Sequence, residues 1–203
     1  MTRKFSEMEE AAPAEVASRR MRADARRNYD KLVSAAREVF ASEGGSASME
    51  AVAKAAGVGV GTLYRHFPRR IDLVQAVYEG DVDGLVQTAQ RVVTDLEPWP
   101  AVVAFLEACV RLARAKRTFL IELREAFDKD PDMKSRMRDR IDEATVLVIG
   151  RAQAAGAVRT DVEPADMMQL LSPMCTSPTL TDVQTVRLLP MILDGLRAGR
   201  DAG

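Results

Sequence analysis

The sequence predicts an all-α fold of about nine helices, with a compact three-helix unit ahead of a larger helical body. Three observations carry that expectation. From Tyr29 onward, apolar residues recur at intervals of three and four, the period of a half-buried helix. Two glycine breaks, Gly44-Gly45 and Gly57–Gly61, cut the early part of the chain into short pieces. No segment alternates like a strand, and no internal repeat is present.

At 203 residues the chain can bury a sizeable core as one large domain or two small ones. Apolar residues at 47% and charged residues at 29% are the ordinary balance expected of a soluble globular protein. The two cysteines, Cys109 and Cys175, are too few for a disulfide framework and lie in no metal-ligand spacing. With His66 as the sole histidine, no metal site is expected. The opening MTRKFSEMEE has no apolar core of a secretory signal. Arg111 and Arg114 interrupt the best apolar run, so no membrane span is expected and the cytoplasm is the simplest compartment.

Taken in order, residues 1–18 mix Ala, Pro, Glu and Ser without an apolar period and read as disordered. Residues 19–31 carry six basic side chains, either a flexible arm or a solvated first turn; residues 1–26 are set apart on that basis. Tyr29, Leu32, Val33, Ala36, Val39 and Phe40 mark a first helix, ended by Gly44-Gly45. Ser48 caps a second helix with Met49, Val52, Ala53 and Ala56 on its inner stripe. Gly57 supplies a left-handed residue, Gly59 replaces a hydroxyl cap, and Leu63 and Phe67 turn inward from a third helix that Pro68 ends.

A long helix runs from Ile71 to about Val93, and Pro98-Trp99-Pro100 is expected to break the chain. Further helices follow around Val102–Leu112, Thr118–Asp128, Met133–Ala152, Glu163–Cys175 and Leu180–Ala198, with DKDPD as a loop. Pro173 and Pro190 should kink or end the last two.

Net charge is −1, yet its distribution is uneven. Residues 17–72 carry eleven Lys/Arg against six Asp/Glu, whereas residues 73–203 carry sixteen against twenty. A basic first third on an acidic remainder fits a localised nucleic-acid-binding module. Within it, GVGVGTLYRHFPRR places a hydroxyl, a phenol, an imidazole and arginines at a density suited to phosphate oxygens and base edges. A phosphate-cradling loop is the competing reading of the glycines. It fails because a helical pattern precedes them and no Walker lysine follows, so no cofactor is expected. No nucleophile–base pair, metal cluster or cofactor loop stands out, which argues against an enzyme.

The run from Ser48 through Ala-Ala-Gly-Val to Gly-Thr-Leu-Tyr-Arg-His-Phe and the basic pair closely resembles the TetR family of bacterial repressors. The motif covers residues 48–73, and the helix lengths over 29–198 match the family's layout. The resemblance implies a helix-turn-helix domain over residues 27–72 and a ligand-binding and dimerisation domain over 73–203. It implies that Val60 meets a thymine methyl, that Gly61 allows close approach, and that Thr62, Tyr64, His66 and Arg70 anchor phosphates. Arg65 reaches a base or a phosphate, with Ser48 beside them. Glu50 would repel phosphate unless it caps the second helix.

For the body, the resemblance implies a pocket among Phe105, Cys109, Phe119, Leu123, Met133, Met137, Met168 and Met174, with plain core as the alternative for each. Glu107, Glu122, Arg124 and Gln153 are polar candidates. The expected partners are double-stranded operator DNA, a small-molecule effector and a second copy of the chain. Leu170, Leu171, Val183, Val186, Met191 and Leu193 are expected at the contact between copies. The expected function is a repressor of a palindromic operator, released by its effector; a switch based on cysteine oxidation is the alternative.

Overall fold

The computed structural model describes residues 13–117, 119–177 and 181–198, with side chains from residue 21 except at 172–176, 182 and 185. Among them are nine α-helices: α1 (Pro13–Glu43), α2 (Met49–Ala56), α3 (Val60–His66), α4 (Arg70–Asp95), α5 (Pro98–Arg117), α6 (Leu120–Lys129), α7 (Pro131–Ala154), α8 (Pro164–Thr176) and α9 (Asp182–Leu196). A single 3₁₀ turn, Gly44–Ser46, joins α1 to α2. The only extended pairing among the described residues is one antiparallel bridge, Val158 with Arg197.

The basic stretch, open between a flexible arm and a solvated first turn, lies within a helix that starts at Pro13, so residues 13–18 are helical rather than disordered as expected. Proline suits a first helical position because its fixed φ is already helical. The Ala- and Arg-rich run that follows has high helix propensity, and Arg26 lies 3.6 Å from Asp30 one turn away. The basic residues of α1 from Arg22 to Arg27 therefore decorate an exposed helix. Residues 1–12 lie outside the described residues.

The other prolines behave alike. Pro98, Pro131 and Pro164 begin helices rather than breaking the chain. The expected DKDPD loop is reduced to Asp130, whose carboxylate accepts the Met133 N–H at 2.9 Å and caps α7. α8 and α9 continue through Pro173 and Pro190.

The small unit is held by local chemistry. Ser48 Oγ accepts the Ala51 N–H at 3.0 Å, starting α2. Gly57 stops it at φ +65, a conformation that costs a residue with a Cβ. Leu63 and Phe67 are buried against α1, where the Tyr29 ring lies 5.1 Å from that of Phe67.

α4 is the spine. It leaves the small unit and packs against α1, α5, α6 and α7, and its buried residues join one continuous core. The chain end folds back: the Arg159 N–H donates to Leu196 O at 3.0 Å, and the Arg197 guanidinium sits 4.4 Å from the Trp99 ring centre. No described helix is long and apolar enough to cross a membrane.

Candidate nucleic-acid interface

The outer face of α3 leaves apolar and polar groups in water together. Val60 is 41% exposed and Tyr64 42%, although neither would stay out on hydrophobicity alone. Arg65 is exposed and has no ion-pair partner among the described residues. Gly61 is exposed between them, and a Cβ built on it would meet nothing within 4 Å. Thr62 is half-buried in the first turn.

Ser48 adds a hydroxyl at the start of α2. Its oxygen is used by the Ala51 N–H, which leaves the O–H free to donate.

Tyr64 has one neighbour that matters. Its O–H donates to Glu50 Oε1 at 3.3 Å, and the carboxylate raises the phenol's pKa. Glu50 thus occupies the group that a phosphate would use, which sharpens the expected repulsion into competition for one proton.

His66 is turned toward α1. Its ring meets Tyr29 edge-on at 6.2 Å, on the wall of a groove of about 640 Å³ between α1 and α4. That groove carries both signs of charge, among them Arg22, Arg26, Glu79 and Asp83.

Arg70 differs most from expectation. Its guanidinium faces inward, 4.8 Å from the Phe40 ring centre, with Nε donating to Glu122 Oε1 at 3.1 Å and Nη1 donating to the Ala47 carbonyl. Its side chain is only 25% exposed. Its Nη2 is buried with no hydrogen-bond partner among the described residues, so the guanidinium does not present its fork to solvent, where a phosphate would approach. The neighbouring Arg69 points out, paired with Asp72, which also accepts the Arg69 N–H at 2.9 Å. Arg69 is the N-cap of α4 and has extended backbone (φ −127, ψ 152), whereas Arg70 is its first helical residue, so the two adjacent side chains leave the chain in different directions.

In the body, Phe105, Cys109, Phe119, Leu123, Met133 and Met137 are all buried in the core. Met174 lies outside the residues whose side chains are described, as does Cys175. A Cys109 that is 2% exposed lacks the accessible, electropositive setting of a reactive thiol, and nothing supports the oxidation switch. The polar candidates do other work or face solvent. Glu122 holds Arg70, Gln153 Nε2 donates to the Arg159 and Val162 carbonyls at 3.0 and 2.8 Å, and Glu107 and Arg124 are exposed.

Met168 does border a space. A half-open cavity of about 200 Å³ is lined by it together with Tyr78, Lys116, Phe127, Lys134 and Arg138. Sequence reading missed this site. Its one legible trace was the pair Lys134 and Arg138, four apart and next to the inner stripe of Met133, Met137 and Ile141.

Of the residues expected at the contact between copies, Leu170, Val183, Val186 and Met191 are 56–76% exposed. Leu171 is buried in the core and Leu193 is half-buried.

Comparison with known proteins agrees with this architecture. Residues 32–77 match the family described as bacterial regulatory proteins, tetR family, and residues 97–198 match the SbtR-like transcriptional regulator C-terminal domain. The HTH-type transcriptional regulator UidR of Escherichia coli is 26% identical over 184 residues, 88% of this chain and 93% of that one. The TetR transcriptional regulator SCO0520 of Streptomyces coelicolor superposes with a TM-score of 0.74 at 35% identity, over 84% of this chain and 99% of that one. A TetR regulatory protein of Mycobacterium vanbaalenii gives 0.69 at 32%, over 88% and 99%. With both ends matched and a relative this similar along its whole length, the chain belongs to the TetR family of DNA-binding transcriptional regulators.

Proposed function

We propose that the chain is a repressor that binds a palindromic operator as a homodimer and leaves it when a small molecule occupies the helical body. The observation that carries the DNA side is the outer face of α3. Val60, Tyr64 and Arg65 stand exposed around a glycine that keeps the backbone bare. Val60 offers a methyl contact to thymine, while Ser48, Thr62, Tyr64 and Arg65 offer donors to phosphate. His66 contributes by holding α3 against Tyr29, and Arg70 by fastening the small unit to α6.

Dimerisation rests on the exposed Leu170 of α8 and Val183, Val186 and Met191 of α9. One three-helix unit reads few base pairs. Two related by a two-fold axis read consecutive major grooves about 34–36 Å apart.

Release needs an element that both sites can bias. α6 and α4 qualify. Phe127 of α6 and Tyr78 of α4 border the cavity, while Glu122 and Arg70 on the same two helices join at the small unit. A ligand that prefers a shifted α4 would move the two α3 helices out of register with successive grooves. The coupling should be about 1–3 kcal/mol and reciprocal.

Selection of bound duplexes from a random DNA pool, with sedimentation of the protein in parallel, tests this reading. An enriched inverted repeat and a dimer at micromolar concentration are expected. Val186→Asp should give monomers and much weaker binding to the selected sequence. A monomer that binds a non-repeating site tightly would overturn the reading.

A further inference from the structure

The lining of the cavity at Met168 combines two kinds of surface. Tyr78, Phe127, Ile141 and Met168 are apolar, and Gln169 is neutral. Three cations stand among them: Lys116 in the last turn of α5, and Lys134 and Arg138 one turn apart on α7.

The Lys116 ammonium lies 5.3 Å from the Tyr78 ring centre and 5.6 Å from that of Phe127, within cation–π reach of both. Among the described residues, no carboxylate pairs with Lys116 or with Lys134. The one carboxylate at the cavity, Asp142, sits 3.9 Å from Arg138 and is already engaged. Burial lowers the Lys116 pKa, and the cations of Lys134 and Arg124 push it the same way. A half-buried ammonium with cationic neighbours and no counter-charge is costly to keep. Perturbed charge of this kind in a concave site marks a binding position.

We infer that this cavity binds a small amphipathic organic anion, a carboxylate or phosphate monoester, with its charge on Lys116 and Lys134 and its ring or short chain against Tyr78, Phe127 and Met168. This rests on the proposed release mechanism and names the effector class for it. Size fits the class. About 200 Å³ is the room of about seven waters at ~30 Å³ each, below the ~300 Å³ where drug-sized pockets begin. One ring or a short chain fills it.

Isothermal titration of the full chain with 3-phenylpropionate, hexanoate and phenyl phosphate tests the inference. 3-Phenylpropylamine and 3-phenylpropanamide serve as matched cationic and neutral probes. At least one anion should bind once per chain, at least tenfold tighter than the amine and the amide. Lys116→Met should weaken that anion at least tenfold while melting no lower than wild type, since it removes a half-buried charge and keeps the stem. Lys134→Gln, at an exposed position, should weaken it at least threefold with duplex binding unchanged. An amine or amide that binds as well as every anion overturns the inference, as does wild-type anion affinity in both variants. An anion that binds through Lys116 yet leaves operator affinity unchanged upholds this site and overturns the release mechanism instead.

Discussion

The outer face of α3 and the first turn of α4 are separated by three residues and treat their polar groups in opposite ways. On α3, Tyr64 and Arg65 stay in solvent, and the glycine between them and the turn leaves the backbone open. On α4, Arg70 withdraws from solvent to bind Ala47, Glu122 and the Phe40 ring. Basic character within a motif therefore does not assign a role. The first stretch leaves its side chains exposed to solvent, and the second ties the small unit to α6.

The sharpest way to break this contrast is to remove the tie. Arg70→Ala leaves Glu122 and the Ala47 carbonyl half-buried without their partner. Urea unfolding should record a loss of about 2 kcal/mol. Arg70→Lys should recover little of it, because a point charge lacks the fork and the flat face that meet Glu122 and Phe40. Arg65→Ala should cost almost nothing by the same assay, and equal losses for the two arginines would erase the distinction.

Gly61→Ala tests the other side. Open space around Gly61 and the higher helix propensity of alanine predict stability unchanged or raised by up to about 1 kcal/mol. DNA affinity should nonetheless fall roughly tenfold, because a methyl would stand where the bases approach. Unaltered binding by a Gly61→Ala protein would take α3 out of the groove.

A smaller effect is expected at Tyr64 and Glu50. Tyr64→Phe should weaken all duplexes alike by a few-fold, since a phosphate contact carries no sequence information. Glu50→Gln should tighten them by a few-fold by freeing the phenol. Should the two changes act in the same direction, the hydroxyl is not shared between Glu50 and a phosphate.

The smallest effects are titrations along α4. The Arg69 side chain, chiefly, holds the Asp72 pKa below its ordinary value near 3.8. Its stabilisation is present above that value and is lost as pH falls through the lower, folded one. Asp72→Ala should cost about 1 kcal/mol at neutral pH and nothing in strong acid. Asp81 runs the other way: burial raises its pKa despite Arg37 at 2.5 Å, and its Oδ2 is buried without a partner among the described residues. Its contribution is present below about 3.8 and is lost as pH rises through the raised value. Asp81→Asn should therefore gain stability relative to wild type as pH rises, a trend that urea unfolding across pH 3 to 7 would show or refute.

The parts legible in sequence were those decided within a few residues. Gly57 stops α2, Ser48 caps it, and Leu63 with Phe67 keeps one turn's spacing; each choice is local. The features that sequence did not show needed position within a helix or contact across the fold. Pro98 and Pro131 read as breaks until they are seen at first helical positions, where no N–H is required. The resemblance gives Arg70 to a phosphate, and no local pattern could show its partners Ala47 and Glu122, 23 and 52 residues away. The inner stripes of α5 to α7 were correctly apolar, but periodicity cannot separate core from cavity lining. The cavity draws on five helices and owes its character to lysines at stripe edges.

The opposition of α3 and the start of α4 is tested most directly by the salt dependence of duplex binding, measured for wild type, Arg65→Ala and Arg70→Ala at concentrations where each is folded. Removing a phosphate contact lowers the slope of log affinity against log salt by about one. Arg65→Ala should show that loss, while Arg70→Ala should keep the wild-type slope even where it binds more weakly. A slope lowered by about one in Arg70→Ala, with none lost in Arg65→Ala, would place the phosphate contact on the residue assigned here to the interior and contradict the account.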